Sequence, residues 1–183
     1  MPTPSKTSRD EIVAAARDLI AEFGVEVLTV QAVAERVGVR GPSLYKHFAD
    51  RSALLREVEL TVVADLGSAL AAAGRSRDHR TALRAMAIAY RRFARESPGA
   101  YSLIFNLQSA DAECQAARRH ALEPALLRLE ALWGDRGLAF TRARILTSFL
   151  HGFVSMEAAG AFRMGGNIEE AFFSGIALLL SKD

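Results

Sequence analysis

The stretch Arg36–Ala49 combines basic and hydrogen-bonding side chains and contains no carboxylate. Its donors are Arg36, Arg40, Ser43, Tyr45, Lys46 and His47. Donors of these types bind phosphate oxygens and base edges when the end of a helix enters the major groove of DNA. The stretch therefore predicts a DNA-binding surface. The alternative from the residues alone is an ordinary helical hairpin whose basic side chains are only solvated.

Catalytic and metal-binding patterns are missing from the sequence. It has no Glu-x-x-His pair, no His-x-x-x-His pair, no glycine-rich phosphate loop and no serine nucleophile elbow. Cys114 is the single cysteine, which predicts an inert thiol rather than a disulfide, a metal cage or a redox sensor. His79 and His120 are expected on solvated faces, and His151 either as a buried structural group or as a ligand contact. We therefore expect no enzyme, no cofactor and no metal site.

The overall charge says little about partners. The 183-residue chain carries 23 basic and 21 acidic side chains, a net charge of +2, and half of its residues are hydrophobic. Such a chain can bury a continuous core behind a small module. A nearly balanced charge does not by itself predict a polyanionic partner, so the positions of the basic residues matter more than their number.

Targeting and membrane segments are not visible in the sequence. Met1–Asp10 is polar, and no apolar run approaches the roughly 20 residues that span a bilayer. Together with the single cysteine, this favours a soluble protein in a reducing cytoplasm. No membrane partner is expected.

Apolar residues recur at helical spacing along almost the whole chain, which predicts an all-α fold. The first helix is expected to begin at Ser8, which forms a capping-box pattern with Glu11, and to stop at Gly24. Later helices are expected at about 51–74, 80–96, 101–107, 111–133, 141–162 and 168–180. Pro124 is expected to kink or restart the helix at 111–133.

Two short helices are expected around the DNA-binding stretch. One runs from the N-cap Thr29 to Val37, and the next begins at Gly41 and ends near Phe48. Gly38 can adopt the positive φ needed in a tight turn between them. This spacing is that of a helix-turn-helix.

The run Leu28–Phe48, followed by Arg51–Leu55, resembles the N-terminal signature of the TetR family of transcriptional regulators. The resemblance implies an all-α fold with a three-helix helix-turn-helix DNA-binding domain at 1–50. A helical effector-binding and dimerisation domain would then occupy 51–183. The segment Leu150-His151-Gly152 also resembles the Trp-His-Gly segment of one subgroup of the family, with Leu150 in place of the tryptophan.

The resemblance also implies roles for individual residues at the DNA. Thr29 would cap the second helix and touch a phosphate, and Arg51 would add a phosphate contact. Tyr45, Lys46 and His47 would hold the DNA backbone, and Arg40, Gly41, Pro42 and Ser43 would face base edges. Because Gly41 carries no side chain, Arg40 and Gln31 are expected to read the sequence.

The last two helices are the expected dimer surface, because each is apolar on more than one side and helix-turn-helix proteins usually bind DNA as twofold dimers. The alternative is that both faces are buried in one larger core. The predicted interface residues are Phe153, Met156, Gly160, Phe172, Ile176 and Leu179.

The middle helices are expected to enclose a pocket for a small, mostly apolar effector. Its predicted walls and polar anchors are Met86, Tyr90, Phe93, Tyr101, Phe105, Gln108, Leu126, Trp133, Phe149 and His151. Each of these residues also fits an ordinary core. The expected function is a dimeric repressor that its effector releases from a palindromic operator, and an effector that promotes DNA binding is the alternative that the residues leave open. A helical adaptor for another protein is the remaining alternative, but it gives no role to the acid-free stretch.

Overall fold

The computed structural model describes residues 7–106 and 111–181. Within these ranges the chain forms nine α-helices and a 3-10 turn at Val25–Val27, without any strand, so the predicted all-α fold is confirmed. The helices are α1 (Arg9–Phe23), α2 (Val30–Arg36), α3 (Gly41–Leu44), α4 (Arg51–Ala73), α5 (His79–Glu96), α6 (Pro98–Asn106), α7 (Ala112–Trp133), α8 (Arg136–Ala158) and α9 (Ile168–Leu180).

Local sequence signals fix the first helix. The Ser8 hydroxyl accepts a hydrogen bond from the Glu11 backbone N–H at 3.2 Å, and the Glu11 carboxylate accepts one from the Ser8 N–H at 2.8 Å. This reciprocal pair satisfies donors that an uncapped helix end leaves without partners. Gly24 ends α1 with a φ of 85°. The predicted capping box and stop are both confirmed.

Several helices differ from the sequence-based expectation. α3 is only four residues long, and the chain continues as a turn to Phe48. α7 continues through Pro124 without a restart. α8 begins at Arg136 because the Asp135 carboxylate caps it, accepting from the Leu138 N–H at 2.6 Å. Gly137, which lies between the helices expected at 111–133 and 141–162, is therefore in the first turn of α8.

The chain divides into two compact units. The head unit comprises the described residues of 1–63 and 97–115, and the body unit those of 64–96 and 116–183. In the head unit α6 packs closely on α1, since a Cβ at Gly99 would lie 2.4 Å from the Ile20 carbonyl oxygen. In the body unit α5, α8 and α9 pack on one another. The functional boundary at residue 50 stays a prediction.

Candidate nucleic-acid interface

Helices α2 and α3 of the head unit are locked together by a short glycine turn. Thr29 caps α2, its hydroxyl accepting from the Ala32 N–H at 3.0 Å. Gly38 has a φ of 72°, a conformation in which an L side chain is strained. The next N–H, that of Val39, donates to the Ala34 carbonyl at 2.9 Å and closes the turn. The predicted helix-turn-helix is present.

Apolar side chains hold the two helices at a fixed crossing. Val33 and Ala34 of α2 are fully buried, and Leu44 of α3 is 1% exposed. A side chain so deeply buried is held by many contacts, which keeps the short α3 in place despite its length. The neighbouring polar residues are left on the outside, where they can meet a ligand.

The outer surface of this motif is basic and carries an aromatic ring. Arg40, Pro42, Tyr45 and Lys46 are exposed, and Gly41, Ser43 and His47 are half-buried. Within the described part of the chain, the side chains of Arg40 and Lys46 make no hydrogen bond or ion pair, so both cations are available to an anionic partner. Arg36 differs, because its guanidinium pairs with Glu22 at 3.0 Å.

Arg51, predicted as a phosphate contact, bonds to the protein backbone. Its Nε donates to the Leu28 carbonyl at 2.5 Å, and its Nη2 donates to the Val25 carbonyl at 2.8 Å. These bonds hold the segment before α2 against the start of α4. The guanidinium has five N–H donors, so donors remain for a phosphate, and the predicted contact stays a prediction.

Sequence reasoning did not find Arg9, which supports the same surface from α1. Its Nη1 donates to the His47 carbonyl at 2.8 Å, its Nη2 pairs with Glu57 at 2.9 Å, and its guanidinium lies 4.5 Å from the Phe48 ring centre. The hydrogen bond spans 38 positions along the chain, so no local pattern indicates it. Arg9 thus fixes the end of the Arg40–His47 surface.

Gln31 and Gly41 form a closely fitted pair. The Gln31 amide nitrogen donates to the Glu35 carboxylate at 2.7 Å, and a Cβ at Gly41 would lie 2.9 Å from the Gln31 amide oxygen. Gln31 therefore occupies the space that a side chain at position 41 would need. The assignment of base-edge contacts to Gln31 and Arg40 stays a prediction.

Comparison with known proteins decides the family. Residues 12–58 match the bacterial regulatory proteins of the tetR family, and residues 83–179 match the tetracyclin repressor-like C-terminal domain. The chain belongs to the TetR family. TetR-family members are DNA-binding transcriptional regulators, which excludes the enzyme and adaptor alternatives.

Individual TetR relatives align along most of the chain. An uncharacterized helix-turn-helix-type transcriptional regulator of Mycobacterium tuberculosis is 36% identical over 97% of this chain and 82% of its own length. The class A tetracycline repressor from transposon 1721, in Escherichia coli, is 31% identical over 91% of this chain and 76% of its own. A structure of unknown function from Rhodococcus sp. RHA1 shares the fold, with a TM-score of 0.85 at 22% identity, covering 98% and 97% of the two chains.

The predicted effector residues are divided between the two units. Tyr101 and Phe105 lie on α6 of the head unit, with ring centres 5.3 Å apart, and Gln108 lies outside the described residues. The others lie in the body unit: Met86, Tyr90 and Leu126 are buried, and Phe93, Trp133, Phe149 and His151 are half-buried.

Several of the effector residues in the body unit have a packing role. A Cβ at Gly74 would lie 2.0 Å from the Met86 Cε, and one at Gly175 would lie 2.4 Å from the Phe149 Cζ. The Trp133 ring lies 5.1 Å from the Arg142 guanidinium. Burial lowers the pKa of His151 below its ordinary value. Three cavities of the body unit are lined by other residues, so the effector pocket stays a prediction.

The predicted dimer residues fall on two different faces. Phe153, Phe172 and Ile176 are 8%, 1% and 1% exposed, because α8 and α9 turn them into the core of the protomer. Helical periodicity shows that a second apolar face exists, but not which face packs inward. Met156 and Gly160 are exposed and Leu179 is half-buried. Gly160 has its own backbone role, ending α8 with a φ of 60°.

The remaining observations concern membrane spans, metal sites and the single cysteine. No helix in the described ranges is long and apolar enough to cross a membrane. Within the same ranges, no three His, Cys, Asp or Glu side chains are grouped as a metal site would require. Cys114 is buried and forms no disulfide within these ranges.

Proposed function

We propose that the chain is a dimeric transcriptional repressor that binds a near-palindromic operator and leaves it when a small, mostly apolar effector binds. The exposed surface formed by Arg40, Tyr45 and Lys46 carries the proposal. It is held on a rigid turn, has no acidic residue between Arg36 and Ala49, and keeps two cations without a protein partner among the described residues. Repression is supported by the similarity to the class A tetracycline repressor.

DNA contacts are assigned by the chemistry of each side chain. Lys46 and the Tyr45 hydroxyl suit phosphates, which supply affinity without sequence preference. Arg40 stands at the N-terminus of α3 and suits a base edge such as guanine, which arginine binds through two hydrogen bonds. Thr29, His47 and Arg51 would position the backbone, with Gly41, Pro42 and Ser43 facing the groove.

Gel-shift titration against the region upstream of the chain's own gene tests these assignments. The double variant Tyr45→Ala with Lys46→Ala should weaken binding to every duplex and flatten the salt dependence. Arg40→Ala should chiefly relax base preference. The matched control is Arg119→Ala, which removes an exposed arginine of α7 in the body unit. Unchanged binding by the double variant would overturn the contact assignment.

The exposed faces of α8 and α9 support the dimer. On α8 this face carries Ile145, Ser148, Gly152 and Met156, and on α9 it carries Ala171, Ser174 and Leu178. Ile145 is 44% and Leu178 is 73% exposed in the protomer, which is unusual for large apolar side chains. A Cβ at Gly152 would meet nothing within 4 Å in the protomer, so this helical glycine leaves room for a partner helix.

Sedimentation velocity tests the dimer. Ile145→Glu combined with Leu178→Glu should convert the dimer to a monomer, because four carboxylates would enter an uncharged interface. The control Leu127→Glu changes a 53% exposed leucine of α7 and should leave the dimer intact. A sedimentation coefficient that stays dimeric in the double variant would contradict this interface.

The effector pocket is tested separately from DNA binding. Phe93→Ala and Trp133→Ala remove half-buried aromatic walls and should raise the effector concentration needed to release the operator, with little effect on effector-free affinity. Equal losses with and without effector would instead indicate a packing role.

A further inference from the structure

Arg91 of α5 is a buried cation that joins α5 to α8 and α9. It is 5% exposed and forms paired hydrogen bonds to two carboxylates, those of Glu157 on α8 at 2.9 and 2.6 Å and of Glu169 on α9 at 2.9 and 2.7 Å. Its guanidinium also lies 4.6 Å from the Phe172 ring centre. The two carboxylates are not equivalent, because the Glu157 side chain is 20% exposed and that of Glu169 is 57% exposed.

A cavity of about 470 Å³ opens beside this cation, between α5 and α9. Its α5 side carries Arg91, Arg92 and Arg95, and its α9 side carries Glu169, Phe172 and Phe173. The spacing of the arginines puts all three on one face of α5. Cavities that hold small ligands have volumes of about 300–1,000 Å³ and combine apolar walls with a few polar groups. The cavity shares no residue with the predicted effector pocket.

The charges of the lining favour an anion. Three arginines face Glu169 and Glu96, and Glu169 is already paired with Arg91. Arg92 and Arg95 are exposed and, within the described ranges, form no hydrogen bond or salt bridge. The Glu96 carboxylate also forms no hydrogen bond or salt bridge within those ranges. Of the two carboxylates in the lining, it is the one that is not paired with Arg91, so it would repel an incoming anion.

We propose that this cavity binds a small apolar carboxylate. The carboxylate would bind Arg92 and Arg95 and compete with the exposed Glu169 for Arg91, while its apolar part lies against Phe172 and Phe173. Arginine suits this role because its planar guanidinium binds a carboxylate through two hydrogen bonds and stacks on aromatic rings. Glu157, the less exposed partner, would keep Arg91 in place.

Isothermal titration of the full chain with naphthalene-2-carboxylate, in the absence of DNA, tests the site. The unmodified protein should bind this acid and should bind the neutral analogue naphthalene-2-methanol at least about tenfold more weakly, since charge-assisted hydrogen bonds to a carboxylate are about twice as strong as neutral ones. Equal binding of the acid and the alcohol, or no binding of the acid at millimolar concentration, would overturn the proposal.

Two sets of variants locate the binding. Arg92→Gln with Arg95→Gln should lower the affinity for the acid at least about tenfold, and the control Arg119→Gln should leave it unchanged. Glu169→Gln should raise the affinity, because it removes the charge that competes for Arg91. An unchanged affinity in the Arg92 and Arg95 double variant would place the acid elsewhere. Because no DNA is present, a negative result leaves the proposed operator binding untouched.

Discussion

The helix-turn-helix of the head unit and the packed helices α5, α8 and α9 of the body unit differ in how far apart in sequence their key hydrogen-bond partners lie. In the head, Thr29 caps a helix by bonding three residues ahead, and Gly38 closes a turn within a few residues. In the body, Arg91 bonds to Glu157 and Glu169, which lie 66 and 78 positions away. The turn between α2 and α3 is therefore closed by local bonds, with Arg9 and Arg51 adding longer ones, whereas α5, α8 and α9 are joined by one buried cation.

The largest expected effect comes from removing that cation. Arg91→Met should lower the free energy of unfolding by about 3 kcal/mol, because it removes four charge-assisted hydrogen bonds that join α5 to α8 and α9. Urea unfolding followed by circular dichroism measures the change. The adjacent exposed variant Arg92→Met should change it by less than about 0.5 kcal/mol. Equal losses of stability in the two variants would show that Arg91 is no more important to the fold than the exposed Arg92.

The next largest effect on stability should come from a steric substitution in the head unit. Gly99→Ala would place a methyl 2.4 Å from the Ile20 carbonyl oxygen, which is backbone and cannot rotate away. Overpacking of this kind costs about 1–3 kcal/mol of stability. Thermal unfolding followed by calorimetry measures it. A variant as stable as the parent would show that α6 can move away from α1 without cost.

Loss of a single cap should have a smaller effect. Thr29→Ala removes the hydroxyl that accepts from the Ala32 N–H and should cost about 1 kcal/mol of stability. Thr29→Ser keeps the acceptor and should restore most of it. Urea titrations of the two variants make the comparison. If serine failed to restore stability, the methyl group rather than the cap would be important.

The smallest expected effect is a pH dependence at His151. Burial lowers the pKa of this imidazole below the ordinary value of 6.5, so the unfolded chain takes up the proton first as the pH falls. The contribution of the neutral ring to stability is therefore complete above pH 6.5. It is lost as the pH falls from 6.5 towards the lower pKa of the folded state. His151→Gln should flatten the dependence of unfolding free energy on pH between about 7.5 and 5.5. An identical pH dependence of the unfolding free energy in the variant would show that other titrating groups cause it.

The same contrast explains which features the sequence predicts. Ser8, Thr29 and Gly38 act on their own neighbourhood, so residue type and spacing were enough to predict their roles. The cap Asp135 was not predicted although its pattern is local, because the helix that it begins was expected only from about 141. Phe153, Phe172 and Ile176 were predicted on the dimer face because periodicity does not distinguish two apolar faces. Arg9 and Arg91 act on partners far along the chain, which a single sequence does not indicate.

The fit between Gln31 and Gly41 has a consequence for how substitutions at the two positions combine. Any larger residue at position 41 must displace the Gln31 amide, which lies within 2.9 Å of the new Cβ. That amide ends a flexible side chain, so it can rotate away, and it would then give up its hydrogen bond to Glu35. We therefore expect substitutions at positions 31 and 41 to be epistatic, with effects on stability that do not add.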